Sequence, residues 1–270
     1  MNLDLIKQRL DGFKNKPKKD NYEKIDYTKI YFTPKAGKQV IRVVPSKHNP
    51  ENPFMEVWIH YGIHHKMMIS PKTWGEKDPI IEFAKELRKT NDKENWQLSK
   101  KIEPKMRVFV PVIVRGEEDK GVRLWNIGKE MYLEFLSLAD DEDIGDFTDV
   151  NDGRDITVDT VGPEITGTKY NKSSIRVKPK TTALASTKEE IEKLLNDQPN
   201  PLDGKLFKKY SFDEMKDALQ KWLTPEAEET ATETNVEDEA EEVGTEVATP
   251  ASVGKKSNTT KFDDLFGEDD

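Results

Sequence analysis

The sequence predicts a β-rich α+β protein: a small five-stranded Greek-key barrel of the OB type, carrying helical insertions and ending in a disordered acidic C-terminal tail. Three features lead there. Short runs with period-two alternation recur between residues 39 and 178, most of them closed by Gly, Pro or a turn. Helical patterns occur only between or after those runs. Charge is unevenly placed: 35% of the 270 residues are charged against 34% apolar, and residues 225–270 hold 15 acidic and 3 basic side chains, a net of −12 that leaves +3 on residues 1–224. That terminal stretch is rich in Glu, Thr, Ala and Val without any helical or strand period, and too few large apolar groups offset its ordering entropy.

In chain order, Leu3, Ile6, Leu10 and Phe13 fall on one side of a helical wheel, with Lys7, Arg9, Lys14, Lys16, Lys18 and Lys19 around and after it. Residues 1–20 are either a basic amphipathic arm or a first helix packed on its own domain. Gln39-Val-Ile-Arg-Val-Val44 is a strand stopped by Pro45, and Phe54 to Tyr61 is a second, ended by Gly62. Arg107-Val-Phe-Val-Pro-Val-Ile-Val-Arg115 is the most apolar stretch, and Pro111, which cannot donate to a ladder, places it at a sheet edge or bulge. Gly116 to Gly121 turns the chain into Val122–Ile127, completing a hairpin. Asp155–Val161 and Ser174–Lys178 alternate cleanly, the second with Arg176 and Lys178 opposite Ile175 and Val177. Helices are predicted over 79–90 and 129–139, and the capping boxes Thr187–Glu190 and Ser211–Glu214 open two more.

Several functions are excluded on inventory. The chain has no cysteine, so disulfides, thiol nucleophiles and cysteine-ligated metals are absent. There is no Gly-rich phosphate loop, GxSxG elbow or HExxH pair. His60, His64 and His65 cluster, but the strand period sends His64 and His65 to opposite faces, and Asp140–Asp143 reads as a solvated turn. No catalytic residue, cofactor or metal is expected. No apolar run is long enough to span a membrane and the N-terminus does not open as a signal peptide, which points to a soluble protein of the cytoplasm.

What remains is a binding inventory. Residues 1–135 carry 27 basic against 19 acidic side chains. Aromatic rings lie close to cations in three segments read as β: Trp96 with Lys100, Lys101, Lys105 and Arg107; Trp125 with Arg115, Arg123 and Lys129; Tyr170 with Lys172, Arg176, Lys178 and Lys180. Unpaired nucleotides need both, since cations follow phosphates and flat rings stack bases at about 1–3 kcal/mol each.

With these residues in hand, the chain resembles the single-stranded DNA-binding, helix-destabilising proteins of T-even-type phages. The resemblance rests on Gln39-Val-Ile-Arg-Val-Val-Pro-Ser-Lys47, Asn52-Pro-Phe54, His60-Tyr-Gly62, Asn95-Trp-Gln-Leu-Ser-Lys-Lys101, Lys120-Gly-Val-Arg-Leu-Trp-Asn-Ile-Gly-Lys129, Gly167-Thr-Lys-Tyr170 and the Asp263-Asp-Leu-Phe266 end, in order along the chain. It implies an OB core over 21–224, a metal-binding insertion near 61–90, a neighbour-contacting arm over 1–20 using Lys7 and Arg9, and a partner-binding tail over 225–270 using Phe262, Leu265 and Phe266. It further implies single-stranded DNA as ligand, self-association along it, and phage replication and recombination proteins as partners in an infected host. DNA contact is expected from Arg42, Trp96, Lys100, Lys101, Lys105, Arg107, Arg115, Arg123, Trp125, Lys129, Tyr170 and Arg176. The family's zinc ligands, a histidine and three cysteines, are not retained: Tyr61, Ser70 and Asp78-Pro79-Ile80-Ile81 stand at those places. The insertion is therefore expected to hold by packing of Trp74, Ile80, Ile81 and Phe83. An RNA-binding regulatory protein, which would read the 2′-OH, is the alternative.

Overall fold

The computed structural model describes residues 26–63, 66–204, 206–224 and 255–267; the arm over 1–20, His64, His65 and residues 225–254 lie outside them. The described chain runs α1 (Tyr27–Ile30), β1 (Tyr31–Phe32), β2 (Gly37–Val43), β3 (Met55–Ile63), β4 (Lys66–Ile69), α2 (Pro79–Lys89), α3 (Lys93–Ile102), β5 (Lys105–Val114) and β6 (Arg123–Ile127). It continues through α4 (Lys129–Ala139), β7 (Arg154–Val161), α5 (Pro163–Thr166), β8 (Lys172–Thr181), α6 (Lys188–Asn196), α7 (Phe212–Leu223) and α8 (Lys255–Phe266).

All eight described strands join one sheet, ordered β1-β6-β5-β2-β7-β8, with β3 pairing both β5 and β4. This corrects the expected five-stranded barrel: six alternating runs of the sequence become strands, and β1 and β4, with two and four residues, are too short to display a period. Only β1–β6 is parallel. The remaining pairs are antiparallel, as hairpins of alternating sequence favour.

β5 organises the sheet. One edge pairs along β6; the other pairs first with β3, through Lys105–Phe109, and then with β2, through Val112–Val114. Pro111 lies where the second edge changes partner. Its carbonyl accepts from Val44 N at 2.9 Å on that side, so its missing N–H falls at the junction, where no ladder bond is lost. Proline is thereby accommodated in a central strand whose pairing with β6 runs through Pro111 without a register shift, and not at the expected edge or bulge.

Alternation sorts the side chains. Ile41 and Val43 of β2, Val108, Val110, Val112 and Val114 of β5, Trp125 and Ile127 of β6, and Ile156 and Val158 of β7 form one core with Phe135 of α4. A second core lies in the helical part, where α2, α3, α7 and α8 meet the β3–β4 end. Smaller clusters cover the opposite face of the sheet: Val57, Ile59 and Phe109 under Trp74 and Phe207, and Val44, Ile113, Val122 and Leu184 under α6. Both predicted capping boxes form, at Thr187–Glu190 and Ser211–Glu214.

In the insertion, Ile80 and Phe83 are fully buried, Trp74 packs against the Val57–Ile59 cluster, and Ile81, expected beside them, is only half-buried. A buried polar cluster accompanies this packing. Oxygen acceptors face both ring nitrogens of His60: the Ile102 carbonyl at Nδ1 (2.7 Å) and Asp78 Oδ2 at Nε2 (2.9 Å). Ser70 Oγ donates to the same Asp78 oxygen. Asp78 Oδ1 accepts from Ile80 N (2.8 Å) and Ile81 N (3.1 Å), capping α2. Burial alone would raise the Asp78 carboxyl, but the hydrogen bonds from His60, Ser70 and Ile81 outweigh it and hold the group below its ordinary value. One cluster thus ties β3, the Ser70 turn, the start of α2 and the end of α3.

Residues 255–266 form helix α8, so the expectation of disorder throughout 225–270 is corrected there. Among the described residues, no helix is long and apolar enough to cross a membrane.

Candidate nucleic-acid interface

Helix α3 starts at Asp92, whose side chain accepts from Asn95 N. It turns Asn95, Ser99 and Ile102 inward, and Arg88 Nε donates to Ser99 Oγ at 3.2 Å. The opposite face carries Lys93, Glu94, Trp96, Gln97, Lys100 and Lys101, all exposed. Trp96 is 47% exposed, and Lys100, one turn on, places Nζ 3.9 Å from the ring centroid. Lys100 and Lys101 in the last turn also suit the negative end of the helix dipole. Exposed Lys105 follows at the head of β5. The structure therefore brings Trp96 and Lys100 together, with Lys101 exposed in the same last turn, on a helix and not on the expected β segment.

A second basic surface lies on β8, the last strand in the sheet order. Lys172, Ser174, Arg176 and Lys178 are exposed, alternating with the more sheltered Ser173, Ile175 and Val177; Ile175 and Val177 pack toward the core. Lys180 extends the stripe. At the strand's entrance Tyr170 is half-buried, with Lys169 Nζ 5.7 Å from its ring centroid. Across β7 the same face adds Asp159, held by Lys38 at 3.7 Å. A shallow depression beside it is lined by Lys38, Val40, Arg115, Glu117, Asp155 and Lys178.

Five expected contact residues are corrected to structural roles. Arg42 has no exposed surface; it donates to the Asp149 and Thr182 carbonyls, both at 2.7 Å, and sits 3.5 Å from Asp155. Burial pulls its guanidinium below the ordinary value, against the opposing pull of Asp155. Arg107 is buried and bonded to Asn126 Oδ1 (2.8 Å). Arg115 is bonded to Asp155 (Nε to Oδ1, 3.0 Å) and to the Leu184 and Ala183 carbonyls. Arg123 is buried against Glu117 (2.7 Å) with Phe32 beneath its guanidinium. Trp125 is 4% exposed, its ring edge-on to Phe32 and Phe135, so no base can reach its face. Loop carbonyls after β7 and β8 close over Arg42 and Arg115, whereas Arg107 is engaged by the neighbouring strand β6 and Trp125 alternates inward with Ile127 into the main core.

Lys129 and Arg176 are exposed. Lys7 and Arg9 lie outside the described residues. Phe262 is buried, and Leu265 and Phe266 are half-buried, against the chain's own helical core. Sequence reasoning missed one pair: Lys72 Nζ sits 3.2 Å from the centroid of half-buried Trp58. The two residues are joined only through the β3–β4 hairpin, and no local spacing signals their approach. Lys172, Lys178 and Lys180 do announce themselves, through the alternation of β8.

Residues 35–224, from the loop before β2 to the end of α7, match the model of a family described as gp32 DNA binding protein like. Among curated proteins, none matches the chain.

Proposed function

The chain belongs to the gp32-like DNA-binding family, and from that premise we propose that it is a sequence-tolerant single-stranded DNA-binding protein that coats and protects exposed strands during replication, recombination and repair. The observation that carries this reading is Trp96: a half-exposed indole on an outward helix face that carries Lys93, Gln97, Lys100 and Lys101 with a single carboxylate, Glu94. A base of a single strand stacks on the indole while Lys100 moves to the adjoining phosphate; a base locked in duplex offers no free face. The stripe of Lys172, Arg176, Lys178 and Lys180 adds phosphate contacts without base readout. Because every base has a π-face, the contact is indifferent to sequence. By mass action, a protein that binds single strands and not duplex favours melting without a nucleotide fuel.

We also propose that the sheet derives from an OB-type barrel with β3 and β4 as an added hairpin carrying the helical insertion, a reading supported by the antiparallel β6–β5–β2–β7–β8 order. Residues 225–254 contain ten acidic side chains and no basic one, so they compete with phosphates for the basic face at high effective concentration and, when displaced, become available to replication partners.

The test is a titration with oligo(dT) followed by tryptophan fluorescence, in the parent and Trp96→Phe proteins, at two salt concentrations. Quenching that disappears with Trp96→Phe, and log affinity falling with log salt by about 0.7 per phosphate neutralised, is expected. Quenching unaffected by the substitution overturns the assignment, and tighter binding to oligo(rU) than to oligo(dT) favours an RNA ligand.

A further inference from the structure

The seat of helix α8 carries an inference about how copies of this chain meet. Phe262 is 2% exposed and meets Phe83 of α2 edge-on, with ring centroids 6.0 Å apart. Phe266 meets Phe212 of α7 at 6.1 Å, and Lys216 Nζ donates to the Phe266 carbonyl at 2.8 Å, closing the end of α8 from outside. The groove between α2 and α7 thus receives two rings and the terminal carbonyl of this helix.

The helix has little reason to exist without that groove. At twelve residues it sits at the margin for isolated helices in water. Its first turn has no acidic residue and its last no basic one, while Asp263 and Asp264 occupy the last turn, where the dipole disfavours them. Asn258 is buried with its side-chain oxygen unpartnered among the described residues, so the fit to its own groove is imperfect. Helix formation and docking are one coupled, weak event.

The connection is the second observation. Helices packed side by side are joined by about 2–8 residues, yet α7 ends at Leu223 and α8 begins at Lys255. Residues 225–254 can span up to about 100 Å when extended, at roughly 3.3–3.6 Å per residue. Covalent geometry therefore does not tie α8 to its own groove, and an identical groove on an adjacent copy offers the same Phe83, Phe212 and Lys216.

We propose that the α2–α7 groove is a docking site for helix α8 of a second copy, so that copies brought close exchange C-terminal helices and become linked. This goes beyond nucleic-acid binding and does not depend on it.

The test uses the absence of cysteine in the chain. Lys216→Cys is made in one full-length chain and Phe266→Cys in another; the two are mixed and treated with a short bismaleimide of about a lysine's reach. Crosslinked heterodimer is expected to rise with protein concentration toward the mM range, about where a second copy matches the effective concentration of the tethered helix, and to fall at least ~5-fold when Phe262→Ala is added to the Phe266→Cys chain. A chain bearing both cysteines closes on itself at high dilution and forms dimers when concentrated. Heterodimer insensitive to Phe262→Ala, or self-closure alone at every concentration, overturns the proposal, as does a failure of the doubly substituted chain to crosslink at all. No DNA is present, so the result is independent of the single-strand reading; adding long oligo(dT) then asks whether exchange follows crowding on the strand.

Discussion

Trp96 and Trp125 begin alike and end opposite. Each indole has a cation within two to four residues, Lys100 for one and Arg123 for the other, and each belongs to a segment rich in Lys and Arg. On α3 the ring projects from the face opposite Asn95, Ser99 and Ile102 and stays half-exposed. On β6 it lies between Phe32 and Phe135, and Arg123 is spent on Glu117 and the Phe32 ring. The pairing of ring and cation is thus neutral about function. What decides is whether the element's period turns the pair toward a packed layer or away from one.

The comparison can be broken most forcefully at the rings. Trp125→Ala should lower stability by about 3–5 kcal/mol, as large-to-small core changes do. Trp96→Ala should stay within ~0.5 kcal/mol of the parent while losing about 1–3 kcal/mol of oligo(dT) affinity. Urea unfolding beside fluorescence titration checks both, and equal destabilisation by the two would erase the distinction drawn here.

The arginines sharpen it. Arg42→Met leaves the Asp149 and Thr182 carbonyls without their buried donor and should cost about 3 kcal/mol of stability. Arg176→Gln, on the exposed face of β8, should leave the urea midpoint unchanged and reduce the salt slope of DNA binding by about 0.7.

A smaller effect is expected at Asp78. Its carboxyl lies below the ordinary value when folded, so its stabilisation is present above the unfolded value near 3.8 and is lost as pH falls through the lower folded one. Asp78→Asn should cost about 1–3 kcal/mol at neutral pH and flatten the acid limb between those two values, measured by circular dichroism between pH 2 and 5. Because His60 joins this carboxylate to the Ile102 carbonyl at the end of α3, weaker oligo(dT) binding by Asp78→Asn with Trp96 intact would show that the cluster positions the ring.

The long strands and the helix starts were legible because their determinants are local. The alternation of Ile175, Val177 and their basic neighbours is written into five consecutive residues, and Thr187–Glu190 and Ser211–Glu214 need only four each. Helix α3 was not legible as a helix, because two of its three buried positions are polar, Asn95 and Ser99, and the apolar period that marks a helix is absent. Arg42 alternates outward within β2, but residues 149 and 182–184, more than 100 positions away, close over it. The helix at 255–266 owes its form to α2 and α7, not to its own composition. Sequence therefore reports faces well and reports what later covers them poorly.

Pro111 leaves one strand edge shared in series by two neighbours, with a single carbonyl bond from Val44 and no return N–H at the seam. On the opposite edge β6 pairs with β5 from Val108 to Val112, straight past the seam, so two neighbours that never pair with each other are held in one sheet by a single continuous strand.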